Sequence, residues 1–249
     1  MAQSGRVVKT VAGVALAVSA ALCAAAEQRP DFTGVWTNAG GPGIGGATNT
    51  AAAAPPAMKP EAKARVDAYQ KLVAKSGDSP GGWCLGTGMP GSMLGSGGYP
   101  MEIIQRPEQI TVVYEAHAEV RRIYFGDRNA AEADRVPGRN GYSSGHWEGN
   151  TLVVETNNLV DQIDQRNTSH SENATIVERY SFDGKDAQGR QILKAEMTMT
   201  DPDFYTAPVK ITKRWAQVPN GRVLPYECNE EMWRDRIEKL ATEAGVSVP

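Results

Sequence analysis

The sequence is poor in several residue types, and each scarcity excludes a class of protein. Of its 249 residues, three are cysteine and three are histidine. No cysteine has the CxxC spacing or histidine company of a metal or redox site, and no His-x-His or His-x-x-x-His spacing would force the histidines together. The 26 basic residues nearly balance the 29 acidic ones, without a basic stripe. The sequence therefore argues against a cysteine or three-histidine metal centre and against a nucleic-acid partner, whereas a metal site with histidine and carboxylate ligands stays open. We expect no cofactor.

Long apolar runs are also scarce, and the one near the N-terminus is short. Arg6 and Lys9 precede an apolar stretch over 11–22, and three alanines stand before Glu27. This layout is typical of a signal peptide, whereas a retained membrane anchor needs roughly 20 apolar residues. We predict that residues 1–26 are cleaved and that the mature protein is periplasmic or secreted, not an integral membrane protein.

Cysteine usage fits the same compartment. Cys23 leaves with the signal peptide, so Cys84 and Cys228 remain as a pair in an oxidising space. A bond between them would close a loop of about 145 residues, worth roughly 4–5 kcal/mol in the chain-entropy model. The alternative is two buried free thiols; we expect the disulfide.

The rest of the chain divides into two parts. Residues 27–57 contain a first strand, followed by a flexible linker of mostly small and polar residues. Residues 58–249 form the main domain, to which strand 31–37 also belongs. A helix is expected to begin at Pro60 and to end near residue 75, and a second helix is expected over 230–243.

Alternating apolar and polar residues predict strands over much of the main domain. The expected strands cover residues 101–105, 110–116, 119–125, 143–148, 151–156, 174–182, 191–200 and 208–218. Short turns such as Gly149-Asn150 join several of them. With the first strand, this pattern predicts a mainly β fold: an antiparallel lipocalin-like barrel of about nine strands with one N-terminal and one C-terminal helix.

One motif resembles the lipocalin and calycin barrels. Gly34-Val35-Trp36 matches the Gly-x-Trp opening of their first strand. The resemblance implies that Trp36 packs near a basic residue of the last strand, for which Lys213 and Arg214 are candidates.

A second set of motifs resembles a large group of secreted bacterial proteins. The segment 145–156 reads GHWEGNTLVVET, and it is accompanied by Trp-Cys-Leu at 83–85, His-Ser-Glu at 170–172, Glu-Arg-Tyr at 178–180 and Tyr-Glu-Cys-Asn-Glu at 226–230. The resemblance covers nearly the whole mature chain. It implies the fold, export and cysteine pairing, but no reaction.

Histidine 146 is the first candidate for chemistry, because histidine moves protons near neutral pH. Alternation places Ser144, His146 and Glu148 on one face of their strand and Gly145 and Trp147 on the other. An inward His146 could act as a general acid or base, with His170, Glu155 or Tyr142 as further proton-transfer groups. The alternative is a surface histidine paired with Glu148, and the sequence leaves both open.

Neighbouring arginines supply the second candidate. Arg121 and Arg122 are adjacent in a strand, so one of them must face the interior, where it could bind a carboxylate or an oxyanion. Its alternative role is an ion pair with Glu155 or Glu178. Four further residues are candidate ligand contacts for their aromatic or soft apolar side chains, although the methionines equally suit a plain core: Trp83, Tyr124, Met197 and Met199.

Together these features favour one function and leave two alternatives. The first is an exported barrel that binds a small, largely apolar or aromatic ligand, without a cofactor. The second is a cofactor-independent lyase, isomerase or hydrolase centred on His146. The third is a structural protein of the cell envelope without a pocket.

Overall fold

A computed structural model describes residues 29–39, 50–52, 57–74, 77–78, 84–95, 98–163, 169–229 and 231–245. The predicted signal peptide over 1–26 lies outside the described residues, and so does Trp83. Most of the predicted linker does as well, namely residues 40–49 and 53–56. Within the described part, no helix combines the length and the apolar character that a membrane crossing requires.

The chain is mainly β, as predicted. Ten strands are described: β1 Gly34–Asn38, β2 Thr50–Ala52, β3 Met101–Gln105, β4 Gln109–Tyr114, β5 Val120–Tyr124, β6 Tyr142–Glu148, β7 Thr151–Asn157, β8 Thr175–Lys185, β9 Gln191–Thr200 and β10 Val209–Gln217. The described helices are α1 Pro60–Val73, the short α2 Gly91–Gly95 and α3 Glu231–Ala244. Helices α1 and α3 are the two predicted ones, whereas α2 was not predicted.

Nine of the strands close into a barrel in the order β1-β3-β4-β5-β6-β7-β8-β9-β10 and back to β1. Strand β9 pairs along one edge of β10. The other edge of β10 is shared, because β1 pairs with residues 215–217 and β2 with residues 211–213. Thus three residues inside the predicted linker segment take part in the sheet.

Strands β5 and β6 form a parallel pair, and their ladder is short. It consists of Ile123 opposite Ser143 and Tyr124 opposite Ser144. The two strands are joined by a crossover, residues 125–141, which contains 3₁₀ turns at 126–128 and 132–134. The ladder between the two strands ends at Tyr124, so residues 145–148 of β6 have no partner on β5.

One end of the barrel, here called the Trp147 end, is closed by aromatic side chains. It contains the β3–β4, β6–β7 and β8–β9 turns and the segment 29–33 that precedes β1. The Phe32 ring is 1% exposed and lies 5.6 Å from the Trp147 ring and 5.0 Å from the Phe182 ring, centroid to centroid. Packing between apolar rings therefore seals this end.

The opposite end, here called the Glu119 end, is closed by the loop 84–95. This loop carries α2, and its Met89 and Met93 side chains are buried in the main core cluster. Cys84 forms the predicted disulfide with Cys228, with an S–S distance of 2.04 Å. The bond fastens the loop to the segment between β10 and α3.

Candidate functional site

The β6–β7 hairpin has one face that looks into the barrel and one face on its outside. Ser143, Gly145 and Trp147 share the face that looks into the barrel, and their partners across the ladder include the fully buried Val154. His146 and Glu148 lie on the outer face, with side chains that are 53% and 50% exposed. The sequence left open whether His146 faces the interior or lies at the surface beside Glu148. In the structure it lies at the surface and pairs with Glu148.

A cleft of about 590 Å³ opens where β5 leaves β6 at the Trp147 end. We call it the Trp147 cleft. Its lining comes from the segment before β1, the β3–β4 turn, the start of the crossover and β6: Arg29, Pro107, Glu108, Phe125, Gly126, Asp127, Arg128, Gly145, His146 and Trp147.

Close packing shapes the inner wall of the Trp147 cleft. A Cβ atom on Gly145 would lie 2.9 Å from the Phe125 ring and 2.9 Å from a methyl group of Ile123. The absence of a side chain at Gly145 therefore lets Phe125 lie against β6. The Arg29 guanidinium lies 5.9 Å from the centre of the Trp147 ring, within range of a cation–π contact. The wall thus offers two aromatic side chains, one of them with a cation over it.

The other charged groups of the cleft are mixed in sign. Arg128 is cationic and Glu108 and Asp127 are anionic, and all three line the cleft together with the His146 imidazole. An apolar or aromatic body can pack against the aromatic wall while polar substituents meet these groups.

A short chain of polar contacts lies behind His146 on the outer face. The Nε2 atom of His146 is 3.3 Å from Glu148 Oε1, and Arg179 Nη2 donates to Glu148 Oε2 at 2.6 Å. Hydrogen bonds from Arg179 and then from His146 hold the pKa of the Glu148 carboxyl below its ordinary value. When Glu148 accepts the proton on Nε2, the Nδ1 atom of His146 is left as a base.

The other predicted proton-transfer residues do not converge on His146. His170 is fully buried at the Glu119 end, where its ring nitrogens lie 3.0 Å from the carbonyl oxygens of Ser171 and Met89. Glu155 is exposed on the outer face of β7. Tyr142 accepts a hydrogen bond from Ala130 at 2.6 Å at the start of β6. The structure therefore does not assemble the four residues into one site.

Arg121 is the inward arginine, and it forms an ion pair inside the barrel. Its guanidinium donates to both carboxylate oxygens of Glu178, one of the two partners considered from the sequence, and both side chains are at most 1% exposed. Its other donors reach Ser143 and Thr156, and Tyr180 donates to Glu178 at 2.7 Å. Burial is the largest single cause and lowers the pKa of the guanidinium, but the charge of Glu178, its hydrogen bonds and the nearby tyrosines together outweigh burial, so the net pKa is raised.

The remaining predicted ligand contacts are divided between the core and the outer surface. Met197 and Met199 are 1% and 0% exposed and belong to the main core cluster. Arg122 is exposed on the outer face of β5, and Tyr124 stacks on Tyr142 with ring centroids 5.4 Å apart. None of these four lines the Trp147 cleft.

Sequence reasoning missed a second cavity, of about 450 Å³, at the Glu119 end. We call it the Glu119 cavity. It is lined by the β4–β5 turn, the end of the crossover and the segment after β7: His117, Ala118, Glu119, Val120, Gly138, Arg139, Asn140 and Val160. Positive φ angles at His117 (61°) and Ala118 (50°) fold the turn that carries Glu119. Neither His nor Ala is among the residue types that dominate turns, so the sequence did not indicate this one.

The segments that resemble the secreted bacterial group lie in separate parts of the fold. Residues 145–156 form the hairpin beside the Trp147 cleft, whereas His170 and Cys228 lie toward the Glu119 end. The resemblance to that group and to the lipocalins remains a prediction. No protein-family model matches the chain, and no curated protein matches it significantly.

Proposed function

We propose that this protein binds a small, largely apolar or aromatic ligand in the Trp147 cleft. The observation that carries the proposal is the cleft itself, an opening of about 590 Å³ that has Trp147 and Phe125 among its lining residues. Ligand sites are concave and mostly apolar, with a few polar groups that orient the ligand.

The charged groups of the Trp147 cleft indicate which chemical class of ligand it would bind. Arg29 already lies over the Trp147 ring, and Arg128 and His146 line the same cleft. A ring with one anionic substituent could place its flat body against the aromatic wall and its charge near an arginine, which pairs well with carboxylate and sulfonate groups. We therefore favour an aromatic acid.

The compartment follows from the disulfide. The Cys84–Cys228 bond joins residues 144 positions apart, and such bonds persist in oxidising spaces. We accordingly propose that the protein works in the periplasm or outside the cell.

Fluorescence titration with 1-anilinonaphthalene-8-sulfonate tests the binding proposal, because this probe combines aromatic rings with an anion. We expect saturable binding to the oxidised protein, weakened at least tenfold in Arg128→Gln and in Trp147→Leu. Arg122→Gln is the matched control, since Arg122 is an exposed arginine outside the cleft. Equal probe affinity in Arg128→Gln, Trp147→Leu and Arg122→Gln would refute the proposal.

The contacts of His146 favour a second candidate function, acid–base catalysis on the bound ligand. His146 lines the cleft, Glu148 lies 3.3 Å from its Nε2, and Arg179 holds Glu148 from the other side. This arrangement would leave Nδ1 to take a proton from a substrate or from water. Hydrolysis of 4-nitrophenyl acetate is a simple probe: the catalysed rate should be lost in His146→Gln while binding of the sulfonate probe survives. An unchanged rate in that variant would remove this candidate.

A further inference from the structure

The Glu119 cavity contains a buried carboxylate that forms no ion pair with any described residue. Glu119 is 7% exposed, and it lines the cavity. In the part of the chain that the structure describes, no lysine or arginine nitrogen lies within ion-pairing distance of it. Buried charges in proteins are normally paired with an opposite charge or bind a ligand, because an isolated one loses its hydration without compensation.

The partners of Glu119 hold it in place but leave it an acceptor. Oε1 accepts from the Gly88 amide at 2.9 Å and more weakly from Asn140 Nδ2 at 3.5 Å. Among the residues that the structure describes, Ser92 Oγ alone donates to Oε2, at 2.6 Å. A carboxylate offers about four acceptor positions, so at least one remains for a donor from the cavity.

A second acceptor without a donor belongs to the same cavity. Asn140 Oδ1 is buried and has no hydrogen-bond partner among the described residues. Its amide cannot be turned round, because Nδ2 faces Glu119 Oε1 and a carboxylate only accepts. Glu119 and Asn140 can therefore each accept a further hydrogen bond, and a charged donor would suit Glu119.

The polar side chains that the structure places at the cavity suit an organic cation better than a metal ion. No group of three or more His, Cys, Asp or Glu side chains that could hold a metal occurs among the described residues. Calcium takes six to eight oxygen ligands, whereas an ammonium group needs only a few acceptors. The His117 ring lines the cavity and lies 5.0 Å from the Tyr226 ring, so an aromatic pair stands at its edge.

We propose that the Glu119 cavity is a second ligand site, which binds a small organic ammonium compound through Glu119 and Asn140. This site lies at the opposite end of the barrel from the Trp147 cleft, and it does not depend on the function proposed for that cleft.

Calorimetric titration of the oxidised protein with benzylammonium chloride tests this proposal, with benzyl alcohol as the neutral probe of similar shape. We expect benzylammonium to bind at least tenfold more tightly than benzyl alcohol. Glu119→Gln should remove this preference, because it keeps the size of the side chain and removes its charge. Glu238→Gln, at an exposed carboxylate on α3, should keep the wild-type affinities.

A second variant keeps the test decisive if Glu119→Gln does not fold. A Cβ atom on Gly138 meets no atom within 4 Å, so Gly138→Val should fill part of the cavity without a clash and weaken benzylammonium at least tenfold. Equal affinity for the two probes would overturn the proposal. So would wild-type benzylammonium affinity in a folded Glu119→Gln or Gly138→Val protein, or a loss confined to Arg128→Gln, which would assign the binding to the Trp147 cleft.

Discussion

Glu178 and Arg179 are neighbours in β8, but they belong to ion pairs on opposite sides of the barrel wall. Glu178 faces inward and pairs with Arg121, and neither side chain is more than 1% exposed. Arg179 faces outward and pairs with Glu148, and these side chains are 43% and 50% exposed. The two pairs have the same chemistry and differ in their contact with water.

This difference decides what each pair can contribute. Outside, water and salt screen the charges, and exposed pairs typically contribute little to stability. Inside, each charge has lost its hydration and depends on its partner, so removal of one partner is costly even though the pair as a whole adds little. The buried pair thus fixes how β5, β6, β7 and β8 pack together. The surface pair has no such structural role, and its Glu148 can interact with His146.

The largest effect is expected from breaking the buried pair. Glu178→Gln leaves the Arg121 cation without a counter-charge in the interior, which should lower the free energy of unfolding by about 3–5 kcal/mol. Urea denaturation measures this change. The double variant Arg121→Met with Glu178→Leu should recover most of the loss, because no buried charge remains. A cost below about 1 kcal/mol for Glu178→Gln would contradict the comparison.

The same contrast applies to Trp147 and His146, which are also neighbours on opposite faces. Trp147→Ala removes a ring that packs on the buried Phe32, and we expect a loss of about 3 kcal/mol in unfolding free energy. His146→Ala removes a half-exposed side chain and should leave the melting temperature nearly unchanged. Thermal melts of the two variants measure these effects. A large drop in melting temperature for His146→Ala would show that His146 has a structural role.

High pH should act on the interior through Tyr114. Burial is the main cause that raises the pKa of Tyr114 to about 12 from its ordinary 10.0. Between these values the unfolded chain loses the Tyr114 proton while the folded chain keeps it, so stability falls as pH rises. This residue should account for about 2 kcal/mol of the loss at pH 12. Denaturation of the wild type and Tyr114→Phe at pH 9 and pH 12 should therefore show a shallower fall in the variant; parallel falls would exclude Tyr114 as the cause.

The smallest effect is expected at the surface pair. The pKa of Glu148 is lowered by Arg179 and His146, so the stability that the pair supplies is present above the ordinary pKa of 4.5 and is lost as pH falls through the lowered folded value. Arg179→Gln should change the melting temperature only slightly at pH 6, and the change should disappear in acid and in 1 M salt. A salt-resistant loss would mean that water does not screen this pair.

The fold was largely predictable, because most strands carry an alternating pattern. Strands β3 and β9 have the predicted bounds, and the other predicted strands differ by a few residues at their ends. Strand β2 was missed, since Thr-Ala-Ala contains no alternation and its pairing with β10 depends on the closed barrel.

The candidate sites were much less predictable. Both faces of β6 mix polar and apolar residues, so the sequence could not assign the inner face of the hairpin. Arg29, Glu108 and Arg128 meet His146 in one cleft only because the segment before β1, the β3–β4 turn and the crossover reach the same end of the barrel. Glu119 was counted as a strand residue, and nothing near it in the sequence marks Ser92 or Asn140 as its partners.

The barrel has an odd number of strands, and this explains why one pair, β5 and β6, is parallel. A ring of strands can alternate in direction all the way round only if their number is even, and nine strands close this barrel. At least one neighbouring pair must therefore run the same way, and the chain must travel the length of the barrel to join it. That return path, residues 125–141, supplies Phe125 and Arg128 to one cavity and Gly138 and Asn140 to the other. A deletion between these two groups would strain both cavities at once, whereas a tenth strand in the ring would remove the need for the path altogether.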